Sequence, residues 1–172
     1  PFLKAGKLVI GQTANILQFL GPRHGLAPTD EAGRLWTHQL QLTIADLVTE
    51  IHDSHHPIAS ELYYEDQKAA ARRRAANLRE IRLPKFLGYF ERVLANNPGG
   101  SRHLIGRRLT YVDLSMYQVL AGLRYAFPHA MMRLVRKHPL LNALSARVAA
   151  LPRIAAYLAS ARRLPFNQHD IF

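Results

Sequence analysis

Leu109-Thr110-Tyr111-Val112-Asp113-Leu114 carries the strongest local signal in the chain. The Thr110 hydroxyl can accept from the Asp113 backbone amide, and the Asp113 carboxylate can reach back to the amide of Thr110. Leu109 can pack on Leu114 across the first turn, so the stretch reads as a capping box with a hydrophobic staple. The helix it starts, through about Tyr125, carries Leu114, Tyr117, Val119, Leu120 and Leu123 and is apolar on nearly all sides. Such a helix belongs in the centre of a bundle, and the fold is expected to be mainly α.

Upstream, Pro28-Thr29-Asp30-Glu31 places a cap and two acids at a helix start. Trp36, Leu40, Ile44, Leu47, Val48 and Ile51 then follow a 3.6-residue period, and Pro57 predicts an end near His56. A second long helix is expected from about Glu65 to Leu94, its stripe formed by Leu78, Leu83, Phe86, Leu87, Phe90 and Leu94, with a kink at Pro84. Asn96-Asn97-Pro98-Gly99-Gly100 reads as a loop. Downstream, shorter helices around Met131 to Arg136, Leu140 to Ala150 and Arg153 to Ala161 are punctuated by Pro128, Pro139 and Pro152, and Leu164 to Phe172 is an irregular tail. At the other end, residues 1 to 10 read as two short strands about a turn at Ala5-Gly6-Lys7. A lone hairpin is marginal in water, so these strands need partners. Gly11 to Leu20 reads as a short helix stopped by Gly21-Pro22.

The chain has 172 residues, 23 Lys plus Arg against 12 Asp plus Glu, and no cysteine. It offers no disulfide, thiolate metal site or cysteine nucleophile, so any thiol chemistry needs a thiol brought from elsewhere. No apolar run approaches the roughly 20 residues that span a bilayer, and no leader pattern opens the chain, which reads as soluble and cytoplasmic. The net charge of +11 points to nucleic acid or an anionic surface. However, the cations are scattered in small knots such as Arg72-Arg73-Arg74, Arg107-Arg108 and Arg162-Arg163, as on solvated helix faces. A nucleic-acid or membrane partner is therefore disfavoured.

His52-Asp53-Ser54-His55-His56 invites a metal reading, because the three imidazoles fall three and four positions apart. Polar lining of a cleft, or a solvated C-terminal turn where imidazoles suit the helix dipole, is the plainer reading. No metal is expected. Asp46 lies inside the apolar stretch Leu42 to Ile51, either as a less solvated acid or as an ordinary surface carboxylate. Gln12-Thr13 at a strand-to-helix junction is either a cap or a pair of side chains beside free amides, suited to a carboxylate. There is no glycine-rich phosphate loop, HExxH or GxSxG.

Taken together, the segments resemble a cytosolic glutathione transferase, a bacterial member cut short at its N-terminal side. Pro1-Phe2-Leu3, Gly6-Lys7-Leu8-Val9-Ile10 and Gln12-Thr13-Ala14-Asn15-Ile16-Leu17 are similar to the family's cis-proline, hairpin strands and Gln-Ser/Thr pair opening the next helix. Ile44-Ala45-Asp46-Leu47 resembles its acid-bearing segment, and Leu83-Pro84-Lys85-Phe86 with Phe90-Glu91-Arg92-Val93-Leu94 its kinked fifth helix. Leu104-Ile105-Gly106 with Leu109 to Asp113 resembles its capping-box signature, and Leu151-Pro152-Arg153-Ile154 with Tyr157-Leu158 its last helix. The resemblance implies two parts. Residues 1–22 would be the end of a thioredoxin-like glutathione-binding domain, its last β-hairpin and helix, and residues 23–172 a complete all-α C-terminal domain.

The resemblance also implies roles. Pro1 would be the cis-proline beside the cysteinyl part of glutathione, and Gln12 and Thr13 would hold the γ-glutamyl carboxylate. Asp46 would reach the γ-glutamyl ammonium of the neighbouring subunit's ligand in a homodimer. His52, Asp53 and His56 would face the electrophile pocket, where the family is usually apolar. Glutathione is the implied co-substrate and an electrophilic small molecule the second partner. The implied reaction is conjugation, with a Tyr, Ser or Cys upstream of Pro1 expected to favour the thiolate. Thr110 and Asp113 keep a structural part. Two rival readings stay open, a non-catalytic binding or structural protein that reuses the fold and a basic nucleic-acid-binding module.

Overall fold

A computed structural model describes residues 1–167. It is mostly helical: a two-stranded hairpin and one helix lead into a bundle of seven further helices among the described residues. Strands β1 (Phe2–Ala5) and β2 (Leu8–Gly11) pair antiparallel with Phe2 opposite Gly11 and Ala5 opposite Leu8, so Gly6-Lys7 is the turn. No further strand is found among the described residues, and Phe2, Leu8 and Val9 are exposed.

Helix α1 spans Thr13–Arg23 and runs through the expected stop at Gly21-Pro22. Pro22 lies inside the last turn and has no N–H to give the helix, yet α1 continues through Arg23. The actual stop is Gly25, at φ +66°. Around it the Leu26 amide donates to the Gly21 carbonyl at 2.7 Å and the Gly25 amide to Pro22 at 3.4 Å, the pattern of a left-handed helix end. Gly21 itself serves packing: a Cβ there would lie 2.5 Å from Cδ1 of Tyr111. Its bare backbone lets α1 sit on the start of the central helix, and the Tyr111 amide donates to the Leu26 carbonyl at 2.9 Å.

Helix α2 spans Glu31–Asp53, capped by Asp30 Oδ1 accepting from the Gly33 amide at 2.7 Å. Leu40, Ile44, Leu47 and Ile51 are buried as the period predicts. The buried face begins at Thr37 instead of Trp36, which stays partly exposed. The second long helix is present, but its break is a wide turn. Helix α3 (Tyr64–Asn77) passes through a π-helical turn at Leu78–Arg82 into α4 (Leu83–Ala95). Pro84 has no N–H to donate to the Glu80 carbonyl and its ring crowds that oxygen, so the chain widens just before it.

Helix α5 (Tyr111–Ala126) is the central one, packed against α2, α6 (Pro128–Lys137) and α7 (Pro139–Ala149). Val112, Met116, Val119, Leu120 and Leu123 are buried, while Leu114 and Tyr117 pack at the edge of the core. The capping box is formed. Asp113 Oδ2 accepts from the Thr110 amide at 2.7 Å and from its hydroxyl at 3.0 Å, and Oδ1 accepts from the Leu104 amide at 2.8 Å. Pro128, Pro139 and Pro152 open α6, α7 and α8 (Pro152–Leu158) instead of separating them. At the first helical position proline's missing N–H costs nothing. One cap joins distant segments: the Glu91 carboxylate of α4 accepts from the Leu140 and Leu141 amides, each at 2.9 Å. Phe166 of the expected tail is described, whereas Phe172 lies outside the described residues.

Candidate functional site

Two regions hold the residues singled out by sequence. The first is the junction of β2 and α1. Gln12 precedes Thr13 with φ +66° and ψ 122°, and it is the one non-glycine residue with positive φ among those described. Such a conformation costs on the order of 1–3 kcal/mol and persists where the surroundings impose it. No side chain caps α1 and its first turn holds no acid, so the amides at its start lack a side-chain acceptor. The strand register places Pro1 at this same end of the hairpin, across from Gln12. Thus Pro1, Gln12 and Thr13 are brought together. Asp46 is elsewhere, midway along α2. It is exposed, with no ion pair or hydrogen bond to described residues, so of the two readings the ordinary surface carboxylate holds. Its neighbours Leu42 and Ala45 are exposed with it, because the apolar stretch wraps around the helix.

The second region is a cleft of about 1200 Å³ between the end of α2, the segment 58–64, α3 and the end of α5. Helix α2 stops at Asp53, so His52 and Asp53 belong to its last turn while His55 and His56 follow its end. His55 and His56 line the cleft; His52 and Asp53 are not among its lining residues. His52 Nδ1 lies 3.7 Å from Asp53 Oδ1, and its ring stacks on His56 with centroids 5.3 Å apart. Among the described residues no group of three His, Asp or Glu is arranged to hold a metal ion.

A residue that the sequence reading passed over organises this region. Gln67 of α3 is 2 % exposed. Its Oε1 accepts from the Ile58 amide at 2.9 Å, and its Nε2 donates to the Ala59 and Leu62 carbonyls at 3.1 Å. Nε2 also lies 3.2 Å from His56 Nδ1, and His56 Nε2 lies 3.0 Å from His55 Nδ1. The Gln67 amide, His56 and His55 thus form one continuous run of polar contacts that leads into the cleft. Burial, then the neighbouring His56 and His52, push the His55 pKa down from 6.5, so its ring is neutral at physiological pH. His55 also stacks on Tyr64 at 4.5 Å. The result is a polar, hydrogen-bonded wall. A buried Gln amid helical sequence carries no period signal; only the contacts reveal it.

Comparison with known proteins bears on both regions. The profile of the family described as "Glutathione S-transferase, C-terminal domain" matches residues 52–161, more than half of the chain. The chain belongs to the glutathione S-transferase family. The glutathione S-transferase P 1 of Xenopus laevis is 27% identical over 166 residues, which span 95% of this chain and 69% of that protein. The glutathione S-transferase A2 of Bos taurus is 26% identical over 173 residues, 99% of this chain and 71% of that one. Among solved structures, prostaglandin synthase D of Nilaparvata lugens superposes with a TM-score of 0.77 at 22% identity, covering 96% of this chain and 75% of that chain. The Pi-class glutathione S-transferase of Onchocerca volvulus gives 0.72 at 23%, covering 92% and 68%. These two likenesses concern the fold alone. For the glutathione S-transferase family the matched span includes the cleft-lining His55, His56 and α3, but not the Gln12-Thr13 junction.

Proposed function

We propose that the protein is a dimeric glutathione transferase that joins the glutathione sulfur to an electrophilic small molecule. Residues 1–22 act as the end of its glutathione-binding domain and 23–172 as its all-α domain. The observation that carries this reading is the strained Gln12 at the open amide end of α1. In a chain of this family, strain beside unanswered amides fits a carboxylate site. Gln12 and Thr13 hold the γ-glutamyl carboxylate, with Pro1 beside the cysteinyl part. The γ-glutamyl ammonium meets Asp46 of the second copy across a two-fold interface; the exposure of Asp46 and its lack of an ion-pair or hydrogen-bond partner among the described residues support that role.

The electrophile occupies the cleft at the end of α2, where His56, with His55, forms the polar wall. His52 and Asp53 act behind that wall: His52 stacks on His56 and Asp53 pairs with His52. The reaction needs the thiolate, a minor form of a free thiol at neutral pH because its pKa is about 8.5. With an activated aryl halide, the sulfur forms a bond to the ring carbon, the halide leaves with the bonding electrons, and the thiol proton goes to solvent. The test is the appearance of thioether from glutathione and a neutral aryl halide with the full-length protein. Turnover that falls in Thr13→Ala supports the reading. An absent reaction despite a folded protein overturns it and favours a binding protein on the same fold.

A further inference from the structure

Lys68, Arg72 and Arg79 are spaced four and seven positions apart and all line the cleft. They lie on one face of α3 and its π-helical extension. None forms an ion pair with a described residue. By contrast Arg74 and Arg82 are both engaged by Glu50, at 3.3 and 2.6 Å. The cleft's two acids, Glu61 and Glu65, stand at the N-terminal end of α3. Glu65 precedes Arg72 by roughly 10 Å of helix rise and Arg79 by roughly 20 Å. The cleft is therefore polarised, with acids at one end and unpaired guanidinium groups towards the other. His55 adds no positive charge at physiological pH. Ala71 and Ala75 lie between the cations on this face, and Tyr125 and Phe127 add apolar surface. Small side chains between cations leave room for a flat body.

Building on the reading of the cleft as the electrophile site, we propose that it selects electrophiles carrying a carboxylate on a flat apolar body, with the anion seated on the Arg72–Arg79 stretch. Guanidinium groups suit this task, since they stay charged and offer paired donors to a carboxylate.

The test uses the full-length protein and has two readouts. The first is binding of 2-naphthoate against 2-naphthamide by calorimetry, without glutathione. The naphthoate is expected to bind about tenfold tighter. This preference should shrink to less than about threefold in Arg72→Gln/Arg79→Gln and weaken with added salt. Arg73→Gln, on α3 but outside the cleft lining, should keep it, which separates charge loss at the site from general charge loss. Equal binding of acid and amide, or a preference unchanged in the double variant, overturns the proposal. The second is conjugation of 4-chloro-3-nitrobenzoate against its methyl ester, each relative to its uncatalysed rate. In both, the sulfur–carbon bond replaces the carbon–chlorine bond and chloride leaves. Turnover of the ester with no preference for the acid overturns this inference and leaves the transferase reading intact. A preference in binding with no turnover of either compound supports the charge assignment and overturns the transferase reading.

Discussion

Gln67 Oε1 accepts a 2.9 Å hydrogen bond from the Ile58 amide, so a buried side chain of α3 fixes the segment that walls the cleft. The same side chain ties down the Ala59 and Leu62 carbonyls. Replacing it with a group of similar size and no polar atoms removes all three tethers while keeping the volume. Gln67→Leu is expected to cost about 1–3 kcal/mol and to speed exchange of the Ile58 amide hydrogen about tenfold or more, read by NMR. Unchanged exchange at Ile58 would show that the segment holds without Gln67.

Asp113 is fully buried and its carboxylate receives the Leu104 and Thr110 amides. Burial raises its pKa above the ordinary value, against the lowering effect of those amides, of the Thr110 hydroxyl and of nearby His103. Asp113→Ala strands two backbone donors in the core and is expected to cost on the order of 3 kcal/mol. Asp113→Asn should fall between it and wild type, because one amide oxygen can still accept. Urea denaturation checks both, and an Asp113→Ala midpoint equal to wild type would contradict the assigned role.

Glu50 gives a dependence on pH. The Arg82 hydrogen bond, aided by Arg74, holds its pKa below the ordinary 4.5 despite partial burial. A depressed acid contributes stability that is fully present above the unfolded value, near 4.5, and is lost as pH falls through the folded one. Wild type is therefore expected to exceed Glu50→Gln in urea midpoint near pH 6, with the gap closing on acidification below 4.5. A gap that stays constant through that titration would rule out the ion pair as its source.

The helix limits and the capping box were legible because they depend on neighbours within a turn or two: Asp30 before α2, Thr110 with Asp113, and Pro84 at the break. Gly21-Pro22 misled because Gly21 serves packing on Tyr111 and the helix runs one residue past Pro22; the deciding signal was the positive φ of Gly25, four residues after Gly21. Glu91 on the amides of Leu140 and Leu141 leaves no local trace, since the partners lie some fifty positions apart. In the site, Gln12-Thr13 stood out by its place at a strand-to-helix junction, and the structure added the strain. The imidazole cluster was visible as a cluster. Which of its members face the cleft depends on α2 ending at Asp53, one turn before the proline that marked it.

Titration calorimetry of glutathione into the full-length protein and its Asp46→Asn variant tests the proposed glutathione site most directly. Saturable binding by wild type is predicted, weakened about tenfold or more in Asp46→Asn with no change in Tm, because the exposed Asp46 side chain makes no ion pair or hydrogen bond to the described residues. No binding by a folded wild-type protein, or equal affinity in the two, would contradict the glutathione site as assigned.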